Sequence, residues 1–320
     1  TVDVLNEFAQ KHGFLFRDIS SLTDSQNQAA NQPDSKKKLS ARIIPEIKFK
    51  NFKVASYSMI TEGKDIPYEN VIDENHKLDS QSGEKVFLHE FPKGSEAGNC
   101  LHGVLEKLIA NNDPDEKVID SFLRMYGIKF IYKDVVVKLI EEVKNALFCS
   151  DNMRFRLSDL NNENMISELD FHFSFDKFAS DKFEEIICKD APHLHIRNTI
   201  SEISITGFMK GFADMVFCHE GKYFILDWKS NYLGDYASDY SEEKLIQSMR
   251  SSKYAVQLYI YTFALYKLLK IRNKEFSYDD FGGFFYVYLR GVSAGSSNGI
   301  YYYRPSFDAV KKIEKELSGE

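Results

Sequence analysis

Long apolar runs are scarce in this sequence. The longest of them, residues 255–266, is interrupted by a glutamine and falls short of the ~20 apolar residues that a membrane-spanning helix needs. No basic segment followed by an apolar stretch has the pattern of a secretory signal peptide. The sequence therefore predicts a cytoplasmic protein that makes no contact with a membrane.

Cysteine is also rare, and the chain has no Cys-x-x-Cys pair. Zinc and iron–sulfur sites are commonly built from such pairs, so neither kind of site is expected. A Gly-x-x-x-x-Gly-Lys-Ser/Thr loop, which would hold the phosphates of ATP, is absent as well, and we expect no ATP site in this chain. Reduced thiols are expected at all four cysteines, Cys100, Cys149, Cys188 and Cys218.

Positive charge is in deficit, because 41 lysines and arginines face 48 aspartates and glutamates, for a net charge of −7. A nucleic-acid-binding domain of this length is more often basic, so the bulk charge argues against a strong electrostatic grip on DNA. Carboxylates gathered around a metal ion also make the net charge more negative, so the deficit does not rule DNA out. With 43% apolar and 28% charged residues, the composition is that of a globular protein.

The order of the elements predicts an α/β fold. Residues 19–41 are polar and rich in Ser, Asn and Gln, as linkers are. Apolar spacing typical of helices and alternation typical of strands predict helices at 96–110, 115–127, 133–148, 241–270 and 307–317, and strands at 166–175, 202–208, 211–218, 222–229 and 281–290. This order favours a central mixed β-sheet flanked by helices.

Residues 222–229, KYFILDWK, are an apolar run that ends in an acid, an aromatic residue and a base. The run before it, 211–218, is joined to it through Glu220-Gly221, and glycine accommodates the positive φ of tight hairpin turns. If these two residues form the whole loop, Asp214 and Asp227 are opposed across the hairpin. A three-residue loop with a bulge would shift this register by one.

Two opposed carboxylates repel each other, by about 3 kcal/mol for charges about 5 Å apart at an effective dielectric constant of about 20. A divalent cation such as Mg²⁺ would relieve this repulsion. So would Lys229, which strand alternation places on the same face as Asp227. The hairpin alone leaves a metal site and a structural charge cluster equally open. Trp228 points to the other face, so we expect its ring in the core and its carbonyl near the carboxylates.

An aspartate followed by an Asp-x-Lys at the end of the next strand resembles the core of the PD-(D/E)xK nucleases. The sequence is more specifically similar to the nuclease domain of the RecB subunit of exodeoxyribonuclease V. The similarity lies in four ordered stretches, at 89–108, 207–234, 254–269 and 281–292. The resemblance implies a restriction-endonuclease-like core in a nuclease domain over residues 52–320. Residues 1–51 would be the end of a preceding helicase region or a tether.

The resemblance also implies a role for particular residues. The implied roles are metal ligation by His102, Asp214 and Asp227; catalysis by Asp214, Asp227, Lys229 and Glu168; and support of the site or DNA contact by Gln257 and Tyr261. The geometry of the hairpin adds the backbone carbonyl of Trp228 as a candidate metal ligand. Gly98 and Gly211 complete the GxxxH and GxxD motifs. Three alternatives stay open from the residues themselves: His102 as a structural histidine at the edge of an apolar stripe, Asp170 rather than Glu168 turned toward the site, and Tyr261 as a core residue.

The function that the resemblance implies is that of a Mg²⁺-dependent deoxyribonuclease in a RecBCD-type helicase–nuclease, acting in double-strand break repair and recombination. Mn²⁺ would substitute for Mg²⁺, and Ca²⁺ would bind without supporting cleavage. The implied partners are single- and double-stranded DNA ends, the RecC and RecD subunits, and the recombinase RecA. Two alternatives are a catalytically silent module that docks RecA or the partner subunits, and a structural charge cluster without a metal.

Overall fold

The computed structural model of the chain describes residues 52–62, 83–110, 115–195, 200 and 202–318. Over these ranges the chain is an α/β structure in which a mixed sheet carries helices on both faces. The predicted fold class is therefore confirmed, and the architecture is consistent with a restriction-endonuclease-like core. The tether predicted for residues 1–51, including the polar segment 19–41, lies outside the described residues and stays a prediction.

In chain order the strands are β1 (Phe52–Ala55), β2 (Phe148–Cys149), β3 (Arg154–Phe155), β4 (Met165–Ala179), β5 (Ser204–His219), β6 (Lys222–Lys229), β7 (Phe281–Tyr288) and β8 (Ile300–Tyr303). The helices are α1 (Tyr57–Glu62), α2 (Ser95–Leu108), α3 (Glu116–Met125), α4 (Lys133–Asn145), α5 (Ser180–Asp190), α6 (Glu242–Ser251), α7 (Tyr254–Arg272) and α8 (Phe307–Ser318).

The six-stranded sheet is built around β5. β4 pairs antiparallel along one edge of β5, whereas β1 and β6 share its other edge. β1 runs parallel alongside residues 206–209, and β6 runs antiparallel alongside residues 215–219. β7 pairs with β6 in parallel, and β8 closes the sheet antiparallel to β7. In the described part of the chain, residues 210–214 of β5 therefore lack a strand partner on the shared edge.

Each face of the sheet has a layer of helices packed against part of it. The first layer packs α1, α5, α6, α7 and α8 against one face, and the second layer packs α2, α3 and α4 against the other. Residues 255–266 of α7 are all buried, so the longest apolar run is a core helix that is apolar on every side. No helix in the described ranges is long and apolar enough to cross a membrane.

The structure departs from the predicted elements at two places near the site. β5 runs through both strands predicted at 202–208 and 211–218, because β4 pairs along most of its length and Gly207 and Gly211 are themselves paired in the ladder. The helix predicted at 241–270 is two helices, separated by a left-handed turn in which Lys253 has a φ of 57°. The strand predicted at 222–229 is confirmed residue for residue.

Candidate functional site

The hairpin between β5 and β6 has the two-residue loop that the sequence predicts. Both loop residues, Glu220-Gly221, have positive φ, 47° and 75°, as in the tight turns that suit paired strands. The ladder runs from this loop to the pair Met215–Leu226, so the predicted register is confirmed and the three-residue loop is wrong. The pairing ends one step before Asp214 and Asp227, where the two strands separate.

β4 and β5 both interrupt their alternation at this point. Glu168 of β4 has a φ of 53°, which costs a non-glycine residue about 1–3 kcal/mol and is typical of functional sites. Neither Glu168 nor Asp214 is paired in the ladder between the two strands, although the residues on both sides are. Ala213 packs in the first layer, and Met215, which a regular strand would place beside it, packs in the second. Asp214 therefore lies where β5 changes from one layer to the other.

Asp214 is held by two groups. Its Oδ2 accepts a hydrogen bond from the backbone N–H of Trp228 at 2.7 Å and lies 3.5 Å from Nδ1 of His102 on α2. Burial by itself lowers the pKa of His102, but the carboxylates of Asp214 and Asp227 outweigh it, so this pKa is raised. The ring of Trp228 is buried in the second layer, as predicted.

Asp227 is fully buried and contacts a different set of groups. Its Oδ2 lies 2.5 Å from Nζ of Lys229, and its Oδ1 accepts a hydrogen bond from Nε2 of Gln257 on α7 at 2.7 Å. The Oε1 of Gln257 in turn accepts a hydrogen bond from Lys229 Nζ at 2.9 Å, which closes a triangle of three side chains. Burial raises the pKa of Asp227 despite the opposing charge of Lys229, and the charge of Asp214 acts in the same direction as burial.

Lys229 is a buried cation above two aromatic rings. Its Nζ lies 4.1 Å from the ring centroid of Tyr254 and 5.1 Å from that of Tyr286, close enough for cation–π attraction. Burial by itself lowers the pKa of Lys229, but the carboxylate of Asp227 reverses this effect and the pKa is raised. Lys229 is therefore protonated at neutral pH, so it can supply charge and hydrogen-bond donors but not act as a base. Neither tyrosine stands out in the sequence; only the i, i+3 spacing from Tyr254 to Gln257 indicates a shared helix face.

The two residues of the QxxxY motif are both buried. Gln257 contacts Asp227 and Lys229. The ring of Tyr261 packs edge-on against Phe171 at a centroid distance of 4.9 Å. Neither side chain reaches the surface, so neither presents a group to DNA in this arrangement.

Of the two neighbouring acids on β4, Glu168 is the one that interacts electrostatically with Asp214. Burial raises the pKa of Glu168, and the carboxylates of Glu106 on α2 and of Asp214 add to this effect. Asp170 instead lies 3.5 Å from Nδ1 of His172. Sequence reasoning missed Glu106, although its position four residues after the motif histidine puts the two on one face of α2.

The motif glycines are places where two elements approach closely. A Cβ at Gly98 would lie 2.6 Å from Oγ of Ser230, the residue after β6. Glycine therefore lets α2 come close enough to bring His102 to the end of the hairpin. A Cβ at Gly211 would lie 2.4 Å from the ring of Phe171, so this glycine leaves room for a core aromatic ring on β4.

Arg290 fixes the chain on both sides of this approach. Its buried guanidinium donates hydrogen bonds to four backbone carbonyls, those of Leu88, Phe91, Pro92 and Ser230, at 3.0, 3.2, 2.5 and 3.1 Å. The segment before α2 is thereby tied to the end of β6. No sequence pattern indicates this role, because the acceptors are backbone groups as much as 202 positions away.

The donor chemistry of the site fits a divalent cation. In the described ranges, no three His, Cys, Asp or Glu side chains converge closely enough to hold a metal ion. His102, Asp214 and Asp227 nevertheless offer the nitrogen and hard oxygen donors that Mg²⁺ and Mn²⁺ accept. The Oδ2 of Asp227 is also a buried oxygen that accepts no hydrogen bond from any described group, although Lys229 lies against it.

Fold and site together define a class of protein. The mixed sheet is consistent with a restriction-endonuclease-like core, and an Asp-x-Lys at the end of β6 lies beside a second acid from the neighbouring strand. The architecture and the order of the site residues both agree with the resemblance to the PD-(D/E)xK nucleases that the sequence shows.

Comparison with known proteins identifies the relatives. The chain is 28% identical over 318 residues to the RecBCD enzyme subunit RecB of Buchnera aphidicola (subspecies Acyrthosiphon pisum), a match that covers 94% of this chain and 27% of that protein. It is 27% identical over 289 residues to RecB of Escherichia coli K12, covering 88% of this chain and 24% of that RecB. RecB of Borreliella burgdorferi is 30% identical over 278 residues, covering 79% and 22%.

These matches confirm the predicted resemblance to RecB. The chain spans about a quarter of the length of the curated relatives that it matches. No protein-family model matches the chain.

Proposed function

We propose that this chain is a Mg²⁺-dependent DNA nuclease domain of a RecBCD-type helicase–nuclease, which hydrolyses phosphodiester bonds in double-strand break repair and recombination. The similarity to RecB supports the reaction class. The observation that carries the proposal is the triangle of hydrogen-bonded and ion-paired side chains formed by Asp227, Lys229 and Gln257. Asp214, which contacts His102, lies next to this triangle, because it accepts a hydrogen bond from the backbone N–H of Trp228. A purely structural ion pair would not require a second acid and a histidine at the same place.

The proposed metal ligands are His102, Asp214 and Asp227, with the backbone carbonyl of Trp228 and the carboxylate of Glu168 as further oxygen donors. When bound, the ion would polarise the scissile phosphate and lower the pKa of a water molecule. Mn²⁺ is proposed to substitute for Mg²⁺, and Ca²⁺ to bind without supporting cleavage.

Lys229 is proposed to orient the attacking water and to stabilise negative charge that develops on the phosphate. Because the ammonium is protonated, this contribution is electrostatic. Gln257 would hold Lys229 in place through its amide oxygen and Asp227 through its amide nitrogen. The products would carry 5′-phosphate and 3′-hydroxyl ends, and the further partners would be DNA ends, the RecC and RecD subunits, and RecA.

One observation favours the second candidate, a catalytically silent module that docks RecA or the partner subunits. In the described residues the acidic and histidine side chains do not converge into a group that could hold a metal. This candidate predicts a folded chain that binds its partners but does not cleave DNA at any divalent ion concentration.

Cleavage of linear single- and double-stranded DNA by the whole chain distinguishes the two candidates. We expect cleavage with Mg²⁺, none with a chelator, and a loss of about 10²–10³ in rate for Lys229→Met, as for removal of one transition-state contact. Asp134→Asn, at an exposed position on α4, is the matched control and should cleave normally. Addition of Mg²⁺ should also raise the melting temperature, by mass action, and Asp214→Asn should abolish that rise. Intact folding without cleavage in any ion would favour the silent module.

A further inference from the structure

The part of β5 that leads to the site presents aromatic residues to solvent. Phe208 and Phe212 are 41% and 39% exposed, and Lys210 lies between them. The intervening residues Met209 and Ala213 are buried in the first layer. By strand alternation the three exposed-face residues share one side of β5.

Neighbouring strands extend this open face. Val54 of β1 is paired with Phe208 and is 59% exposed. On β4, His172 is paired with Lys210, so the two side chains lie on the same face of the sheet. A group of large apolar side chains left in solvent is typical of an interaction surface.

The charge pattern of the face indicates what it binds. The Nζ of Lys210 lies 4.9 Å from the ring centroid of Phe212, so a cation stands beside one ring and between two rings. Asp170 of β4 is paired with Phe212 and lies 3.5 Å from Nδ1 of His172, so the face carries a carboxylate as well as a cation. Sites for single-stranded nucleic acid combine these same elements, with bases stacked on aromatic side chains and phosphates held by cations. The two rings are about 13 Å apart along the strand, which is far enough for each to take a separate base. A duplex keeps its bases stacked on one another and cannot offer their faces to these rings.

The row formed by Phe208, Lys210 and Phe212 leads along β5 to the candidate site. Asp214 is two residues beyond Phe212, at the change of layer and beside His102. On its free edge, the stretch 210–214 has no strand partner in the described ranges, so the approach along β5 is not blocked there by the sheet.

We propose that Phe208, Lys210 and Phe212 form a track that binds single-stranded nucleic acid, with bases stacked on the two rings and a phosphate at Lys210. The track delivers the strand to Asp214, and this delivery rests on the proposed nuclease function, whereas binding by the track does not. It also supplies the surface contact that the buried Gln257 and Tyr261 cannot make.

The test is binding of fluorescently labelled oligothymidylate to the whole chain, measured by anisotropy in a chelator so that no cleavage occurs. Phe212→Leu removes the ring but keeps an apolar side chain, and it should weaken binding about 5- to 150-fold, as expected for loss of one stacked base. Phe212→Tyr should restore binding. Phe130→Leu is the matched control, because Phe130 is 51% exposed but lies between α3 and α4, and it should bind normally.

Two further measurements keep stacking separate from other effects. Phe208→Leu should act like Phe212→Leu, and the melting temperatures of both should remain near that of the unsubstituted chain because neither ring belongs to a hydrophobic core of the described residues. Lys210→Gln should reduce the slope of log affinity against log salt concentration by about 0.7, the value for one phosphate on a single strand.

Normal binding by Phe212→Leu and Phe208→Leu would overturn the track and leave the face to a protein partner. Equal losses in the leucine and tyrosine variants would also overturn it, because stacking would then not be the cause. If the unsubstituted chain fails to cleave DNA with Mg²⁺ but Phe212→Leu still binds weakly, the track stands and the nuclease proposal fails. If cleavage is normal and the leucine variants bind normally, the track alone fails.

Discussion

The ammonium of Lys229 lies 2.5 Å from Oδ2 of Asp227, and both side chains are buried. Removing two charges from water costs several kcal/mol for each ion, and their mutual attraction offsets this cost only when the remaining polar atoms are also satisfied. Gln257 provides that satisfaction for both partners. Burial of this ion pair therefore costs folding free energy, and the protein retains it beside a second acid, Asp214.

Substitution of one partner should expose this cost. Asp227→Ala should lower the free energy of unfolding by about 3–5 kcal/mol, because the charge of Lys229 remains buried without its carboxylate. The double variant Asp227→Ala/Lys229→Met removes both charges and should lose less than Asp227→Ala alone. Urea unfolding in a chelator measures Asp227→Ala, Lys229→Met and the double variant, and single losses that simply add in the double variant would show that the two charges do not interact.

Gln257 should act on the position of Lys229. Gln257→Leu removes two hydrogen bonds to charged groups and should lower the free energy of unfolding by about 1.5–3 kcal/mol. If the chain cleaves DNA, kcat should fall while KM changes little, because the amide touches Lys229 rather than the substrate. The matched control is Thr262→Val on the same helix, since the buried Thr262 hydroxyl has no hydrogen-bond partner among the described groups. That control should be neutral or stabilising, and a Gln257→Leu variant that behaves like it would contradict the positioning role.

The close approach of α2 to the end of β6 should depend on one pair of residues. Gly98→Ala places a Cβ 2.6 Å from Oγ of Ser230, and we expect it to destabilise the protein by about 1–3 kcal/mol, as overpacking does. Ser230→Ala removes the oxygen and leaves a Cβ separation of 3.5 Å, an ordinary contact. The double variant should therefore recover most of the stability lost in Gly98→Ala, as measured by thermal unfolding. If the double variant does not recover this stability, the loss in Gly98→Ala is not caused by the contact with Oγ of Ser230.

His102 should make stability depend on pH in the absence of metal. Its pKa is raised in the folded protein, chiefly by Asp214 against the effect of burial, so folding favours the protonated imidazole. The stability it contributes is fully present below its unfolded pKa of about 6.5 and is lost as the pH rises through the raised folded value. With a chelator present, His102→Gln should cost more stability at about pH 5.5 than at about pH 9.

The control for this dependence is the same substitution in an Asp214→Asn background. Without the Asp214 carboxylate the main cause of the raised pKa is gone, so the cost of His102→Gln should vary much less with pH. A variation that is unchanged in this background would assign the effect to another charged group.

What the sequence predicts well is local. The register of the hairpin follows from Glu220-Gly221 and from alternation within β6, both of which act over a few residues. The pairing of Lys229 with Asp227 follows in the same way, because residues two apart on a strand share a face.

What the sequence does not predict depends on long-range packing. The hydrogen bonds of Gln257 with Asp227 and Lys229 form only if α7 packs on the sheet with Gln257 next to the end of β6. The positive φ of Glu168 arises where β4 and β5 change layers together, and neither strand alone has a pattern that indicates it. The same is true of Lys253, whose left-handed conformation divides a segment that is helical on both sides. The sequence predicts that Asp214 and Asp227 are opposed across the hairpin, and it does not predict that β5 changes layer at Asp214.

The change of layer at Asp214 gives a bound ligand an effect on the whole protein. Asp214 and His102 are attached to the helices of the second layer, and Asp227 is attached through Gln257 to α7 in the first. A ligand held by both carboxylates therefore joins two hydrophobic cores that otherwise meet only through the sheet. Its binding energy would oppose separation of those cores, so we expect the halves of the ligand-bound protein to exchange their amide hydrogens and to unfold as a single cooperative unit.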